Sequence, residues 1–216
     1  MTLRKIILSL LTCLTFVISG GGLISAQIIY TPDVEKSKLW IEGSSNVNKF
    51  ECQARSHSGF ASVQQGPEIT LRDAESENIE IKMTIEVKSF NCGQSRMNRD
   101  LNTALQSDRH PEIIFDYERS NVLSTNPGTP ESYQLEVFGT LTVAGVSKEI
   151  RIEAEGIIES EDKLRVKGNK VIKMTDFSVE PPVAMLGLVR ANDELNVHFD
   201  LHVIRQSDLN ETVRNR

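Results

Sequence analysis

Histidines, cysteines and carboxylates are the groups in this sequence able to do chemistry, and their spacing argues against most of it. Three cysteines are present, Cys13, Cys52 and Cys92, with no Cys-x-x-Cys pair and no Cys/His cluster. A structural zinc site or a thioredoxin-like redox motif therefore has no support. His198 and His202 fall on one face of a strand, but four strand residues separate them by about 13 Å. That is too far for both to reach one ion at about 2 Å, so they read as solvated face residues. His57 lies between Ser56 and Ser58, and His110 precedes Pro111. Each reads as a loop or surface histidine, since a catalytic role needs a carboxylate partner that the sequence does not place. Glu149, Glu153 and Glu155 interleave with apolar residues and decorate the outside of a strand. The sequence contains no Gly-x-Ser-x-Gly elbow, no His-Glu-x-x-His and no phosphate loop outside its first 26 residues. The expectation is a protein without catalytic residues, metal or cofactor.

One cluster of another kind stands out. Asp176-Phe177-Ser178-Val179-Glu180-Pro181-Pro182 is followed by Met185-Leu186-Gly187-Leu188-Val189 and then Asp193-Glu194. Two prolines interrupt the strand pattern before an apolar segment. The segment reads as a loop folded over one end of the molecule, either a hydrophobic plug or a lid over a pocket.

The elements that must position these groups are strands. Ile79, Ile81, Met83, Ile85 and Val87 alternate with Glu80, Lys82, Thr84, Glu86 and Lys88, and Leu195, Val197, Phe199, Leu201 and Val203 alternate with polar neighbours. Period-two alternation marks a half-buried antiparallel strand. Further runs lie at 39–47, 49–63, 111–120, 133–143, 150–154 and 164–174, which brings the expectation to eight strands. Ala144-Gly145 and residues 159–163 make short connections, so neighbours are antiparallel. One helix is expected over 96–106, with Met97, Leu101, Ala104 and Leu105 on one face and Ser95 as its cap. The fold class is thus all-β: an eight-stranded antiparallel barrel with one or two short helices, closed so that no edge is left exposed. A two-sheet sandwich satisfies the same periodicity. The inward sets are aliphatic or aromatic, with an acid or base expected only where a strand ends.

Composition agrees with a folded, acidic protein. Of 216 residues, 39% are hydrophobic and 25% charged, and the net charge is −6. No basic surface is available for a nucleic acid. Residues 1–26 have the layout of a secretory signal peptide: Arg4 and Lys5, an apolar run, Gly20, Gly21 and Gly22, then Ser25 and Ala26. Cleavage after Ala26 removes those two cations and leaves 190 residues with a net charge of −8. The alternatives are a retained anchor and a lipoprotein modified at Cys13; Leu10-Leu11-Thr12 lacks the small residues that lipidation expects. A periplasmic or secreted protein follows, with one domain over 27–205 and a polar tail over 206–216. In an oxidising compartment the remaining pair, Cys52 and Cys92, favours a disulfide, with two buried free thiols as the alternative.

At this point the sequence resembles a known family. Trp40-Ile41-Glu42-Gly43-Ser44-Ser45, Phe138-Gly139-Thr140-Leu141-Thr142-Val143-Ala144-Gly145-Val146-Ser147-Lys148, the Asp176-Phe177 turn and the stretch from Met97 through His110-Pro111-Glu112-Ile113-Ile114-Phe115 are similar to the YceI-like, polyisoprenoid-binding proteins. The similarity covers about 39–203. Where the family has an Arg-x-x-His-Leu motif, this chain has Arg96-Met97-Asn98-Arg99-Asp100-Leu101. The resemblance implies a lipocalin-like barrel with a long apolar tunnel for an isoprenoid chain. The expected function is non-covalent binding of an isoprenoid or isoprenoid-quinone type ligand, without a reaction. Its lining would be the inward residues Met83, Ile85, Val87, Phe115, Tyr117, Leu135, Val137, Ile152, Val166, Met174, Val197, Phe199 and Leu201. Met97, Leu101, Phe177, Met185 and Leu186 would close it. Transient membrane contact is compatible with such a role, and the oligomeric state stays open. Two rivals remain: a filled barrel serving as a structural or stress-related interaction protein, and an enzyme on isoprenoids, for which only Tyr117 and Tyr133 offer an inward polar group.

Overall fold

The computed structural model describes residues 27–64, 79–128 and 130–206. The expected leader and nearly all of the expected tail lie outside these residues. Among the described residues, thirteen strands and one α-helix follow in chain order. The first four are β1 (Gln27–Pro32), β2 (Lys38–Ser44), β3 (Lys49–Ala54) and β4 (His57–Gln64). Then come β5 (Ile79–Glu86), β6 (Phe90–Asn91) and α1 (Ser95–Ala104). The long strands are β7 (Glu112–Asn126), β8 (Glu131–Val143), β9 (Val146–Ser160) and β10 (Lys163–Lys173). A small hairpin, β11 (Val183–Ala184) and β12 (Val189–Arg190), precedes β13 (Glu194–Arg205).

Eight strands form a closed antiparallel ring in the order β1, β4, β5, β7, β8, β9, β10, β13, and β13 pairs back onto β1. β2 continues the line of β1 along the other half of β13, and β3 continues β4. The break between β1 and β2 is bridged by Ser37, whose hydroxyl accepts from the His202 N–H at 3.0 Å and donates to the His202 carbonyl at 3.2 Å. The barrel expectation therefore holds, with two of its strands broken and with β1 an addition the sequence reading did not include.

Alternation decides which side chains enter the barrel. On β13, Leu195, Val197, Phe199, Leu201 and Val203 share one face, and register carries that face to Leu39 and Ile41 on β2 and to Val166 and Ile172 on β10. His198 faces outward, its ring stacked on that of Trp40 at 4.8 Å with 3° between planes. Its Nε2 lies 3.2 Å from Glu42 Oε2, off the line of a hydrogen bond. His202 is outward as well; both therefore sit on the expected face, but they are half-buried there and not solvated. Glu149, Glu153 and Glu155 also take the outer face, and Glu155 pairs with Lys167 at 2.9 Å.

α1 runs across the end of the barrel where β5 finishes and β7 begins. Ser95 is its first residue, not its cap; Gln94 holds the cap position without a side-chain bond. What ties down the start is Asn98, whose Oδ1 accepts from the Cys92 N–H at 2.8 Å. The Cys52–Cys92 disulfide is formed and fastens β3 to this same approach.

Candidate functional site

The barrel has two unlike halves. Around α1 the interior is solid: Leu39, Ile41, Ile85, Val87, Phe90, Ile113, Val143, Met174, Phe177 and Leu195 are all buried in one cluster with Cys52. Met97 and Leu101 of α1 pack on that cluster, as do Val197 and Phe199. β10 pairs with β9 only as far as Asn169↔Glu153, and past that point the turn of Met174–Phe177 fills the parting wall against β9. Phe177, 2% exposed, is thus a stopper inside the wall. The segment read as plug or lid divides accordingly: its first part is plug.

Toward the other end the inward side chains change state without changing character. Met83, Phe115, Tyr117, Leu135, Val137, Ile152, Val166 and Leu201 all take inward register, and each is only partly buried. Ile28, Tyr30, Ala61, Ile81, Ile158, Leu164 and Val203 extend the same lining. In a continuous closed wall, inward residues that still touch solvent enclose a space open to it. An eight-stranded barrel has room for either filled side chains or one small ligand, and here the described inward residues of this half keep part of their surface uncovered.

Glycines help keep it so. A Cβ on Gly139 would stand 2.7 Å from the ring of Phe115, one on Gly168 2.8 Å from the ring of Phe199, and one on Gly59 2.5 Å from Met83 Sδ. These three inward side chains lie across a glycine on a neighbouring strand. Isolated glycines within strand patterns signal such close backbone approach, and this signal was available in the sequence.

Of the expected lining, Ile85, Val87, Met174 and Phe177 belong to the solid half, and Met97, Leu101, Val197 and Phe199 to its border. Leu186 corrects the expectation of a closing contact. It sits at the tip of the β11–β12 hairpin with φ of 56°, fully exposed at 106%, so it touches no lumen residue. Met185 precedes it, and its side chain lies outside the described part of the structure.

The interior is less purely apolar than alternation suggested. Tyr117 and Ser120 share a hydrogen bond at 3.0 Å on the inward face. At the open rim Tyr133 donates to Glu131, and that bond holds its hydroxyl pKa above the ordinary value. Lys170 takes inward register opposite Val197. His57, expected at the surface, is a buried strand residue in register with Ile85. The small residues Gly59 and Ala61 that follow it hid the alternation of β4. Among the described residues no three His, Cys, Asp or Glu side chains converge to hold a metal.

Two surface hollows lie elsewhere. One of about 470 Å³ is lined by Lys88, Arg99, Asn102 and Asp108 beside α1, and one of about 520 Å³ by outward residues including Trp40, Glu153, Lys167 and His198. Both are open and mix charges of either sign, and neither offers the apolar enclosure of the lumen.

Comparison with known proteins agrees with this architecture. The family model of the YceI-like domain matches residues 30–203. The structure of a polyisoprenoid binding domain from Saccharophagus degradans superposes with a TM-score of 0.63 at 16% identity, covering 82% of this chain and 98% of that one. BcnA of Burkholderia cenocepacia gives 0.57 at 21% identity, with 79% and 98% covered. A Campylobacter jejuni YCEI protein gives 0.51 at 19%, with 73% and 85% covered. Comparison with curated proteins gives no match.

Proposed function

The chain belongs to the YceI-like family, and from that premise we propose that it is a non-catalytic carrier that holds a long apolar molecule, of isoprenoid or isoprenoid-quinone type, inside its barrel. The observation that carries this reading is the half-buried apolar lining above a solid plug. It is a one-ended apolar tube, and the solved domain from Saccharophagus degradans with the same fold is described as polyisoprenoid binding. Burying a chain in such a tube removes CH₂ groups from water at roughly 0.8 kcal/mol each. Affinity therefore rises with chain length and responds little to salt. We read residues 1–26 as a cleaved leader, which places the carrier in the periplasm or outside the cell, with transient membrane contact during loading.

The test is mass spectrometry of lipid extracted from protein purified without detergent, followed by binding of isoprenoids of increasing length. A co-purifying isoprenoid and a length-dependent affinity are expected. Folded protein that carries no lipid and shows no dependence on length would make this a ligand-free barrel acting through its surface.

A further inference from the structure

His57 opens β4 with a ring only 5% exposed, and neither Nδ1 nor Nε2 has a hydrogen-bond partner among the described residues. Its register neighbours on the β5 side are apolar: it stands opposite Ile85, which faces Ile113 on β7, and both of these are buried. Burial holds the imidazole pKa below its ordinary value, so the ring is neutral at physiological pH. A neutral imidazole carries one N–H donor and one acceptor. Leaving both unmet in an apolar interior lowers stability, and buried polar groups are normally satisfied.

Position gives this orphan its meaning. One inward step along the ladder from the His57–Ile85 pair is the Gly59–Met83 pair, where the thioether lies across the glycine. One step further are Ala61 and Ile81, already part of the partly exposed lining. His57 is therefore at the floor of the lumen, where the solid half begins, with a flexible methionine between it and the open space.

Resting on the carrier reading, we infer that His57 anchors the head group of the ligand, that this head group is a neutral oxygen, a hydroxyl or a carbonyl, and that the ligand enters head first. The chain then lies along the apolar lining, and Met83 swings aside from Gly59 to admit the oxygen. A hydroxyl can accept from one ring nitrogen or donate to the other, and a carbonyl can accept from the N–H. A charged head group is the less suitable occupant, because no cation adjoins His57 on the inward faces of β4 and β5.

The experiment compares geranylgeraniol, its analogue with the hydroxyl replaced by hydrogen, and geranylgeranyl phosphate, on wild type, His57→Phe and His57→Gln. Wild type is expected to favour the alcohol over the hydrocarbon by about five- to tenfold, the worth of one hydrogen bond. In His57→Phe that preference disappears while hydrocarbon affinity is retained, which also reports that the barrel is intact. His57→Gln keeps part of the preference. Should His57→Phe fail to fold, the wild-type imidazole ¹⁵N shifts decide: they move on binding the alcohol and stay still on binding the hydrocarbon. A prenyl quinone of equal side-chain length distinguishes carbonyl from hydroxyl, and a preference for either supports the anchor. A preference that survives in His57→Phe overturns the proposal, as does tighter binding of the phosphate in both proteins, which would move the anchor to Lys170. Absence of binding by any of the compounds, the hydrocarbon included, fails the carrier reading itself.

Discussion

The two halves of the barrel are built from the same ring of strands and the same kinds of residue, yet one is fully packed and the other leaves its inward side chains partly exposed. In the solid half, additional pieces enter the ring: α1 and the Met174–Phe177 turn each bring apolar side chains from outside the ladder. In the other half, among the described residues, only the wall itself contributes, and Phe115 and Met83 lie across glycines. Filling thus depends on what is inserted from the connections, not on how apolar the strands are.

That contrast is broken most forcefully by truncating one residue in each half. Phe177→Ala removes a buried ring from the plug and is expected to cost about 3–5 kcal/mol. Leu135→Ala, facing an existing void, should cost about 1 kcal/mol while weakening apolar ligand binding. Urea unfolding and a binding titration on both variants check the pair; equal stability losses would mean the upper half is as well packed as the lower. Next in size is the disulfide. Cys52 and Cys92 are 40 residues apart in sequence, and closing such a loop is worth about 4 kcal/mol on the chain-entropy model. Reduction should therefore lower the thermal midpoint and loosen the α1 end first, which amide exchange would show as lost protection in α1 and β3 with β8 and β9 unchanged.

The smallest expected effect is the pH response of the boundary between the halves. His57 has a folded pKa held below its ordinary 6.5 by burial. As pH falls below 6.5 the unfolded chain takes up a proton that the folded one refuses, so stability present above that pH declines at up to about 1.4 kcal/mol per pH unit. Denaturation curves of wild type and His57→Phe between neutral and mildly acidic pH should diverge in slope. Parallel curves would mean that the imidazole is already solvated.

Legibility in the sequence followed the same division. β13 and β5 were readable because they set five and four apolar residues, respectively, in regular alternation with polar ones. β4 was found as a run, but its inward face reads His57, Gly59, Ala61, Val63, and small residues there conceal both the alternation and the buried histidine. Lys170 escaped notice although alternation from Val166 and Ile172 puts it inward, while its apolar neighbour Val171 is exposed at 52%. Leu186 was assigned to a closing contact on hydrophobicity alone, whereas a left-handed backbone at a hairpin tip turns it outward. Which half is hollow was not readable at all. That property arises from where connections fold back, and periodicity carries no information about it.

The seam of the ring, where Tyr30 meets Arg205 and Pro32 meets Val203, carries a kinetic consequence. Its partners come from opposite ends of the folded region, so the last ladder to form spans nearly the whole domain. Topologies dominated by such distant pairings fold in milliseconds to seconds. Until β13 arrives, β1 and β10 present open edges and the greasy inner face is uncovered, a state prone to association with other chains. Overproduction should therefore raise the share of chains caught in that open state, and aggregation with it.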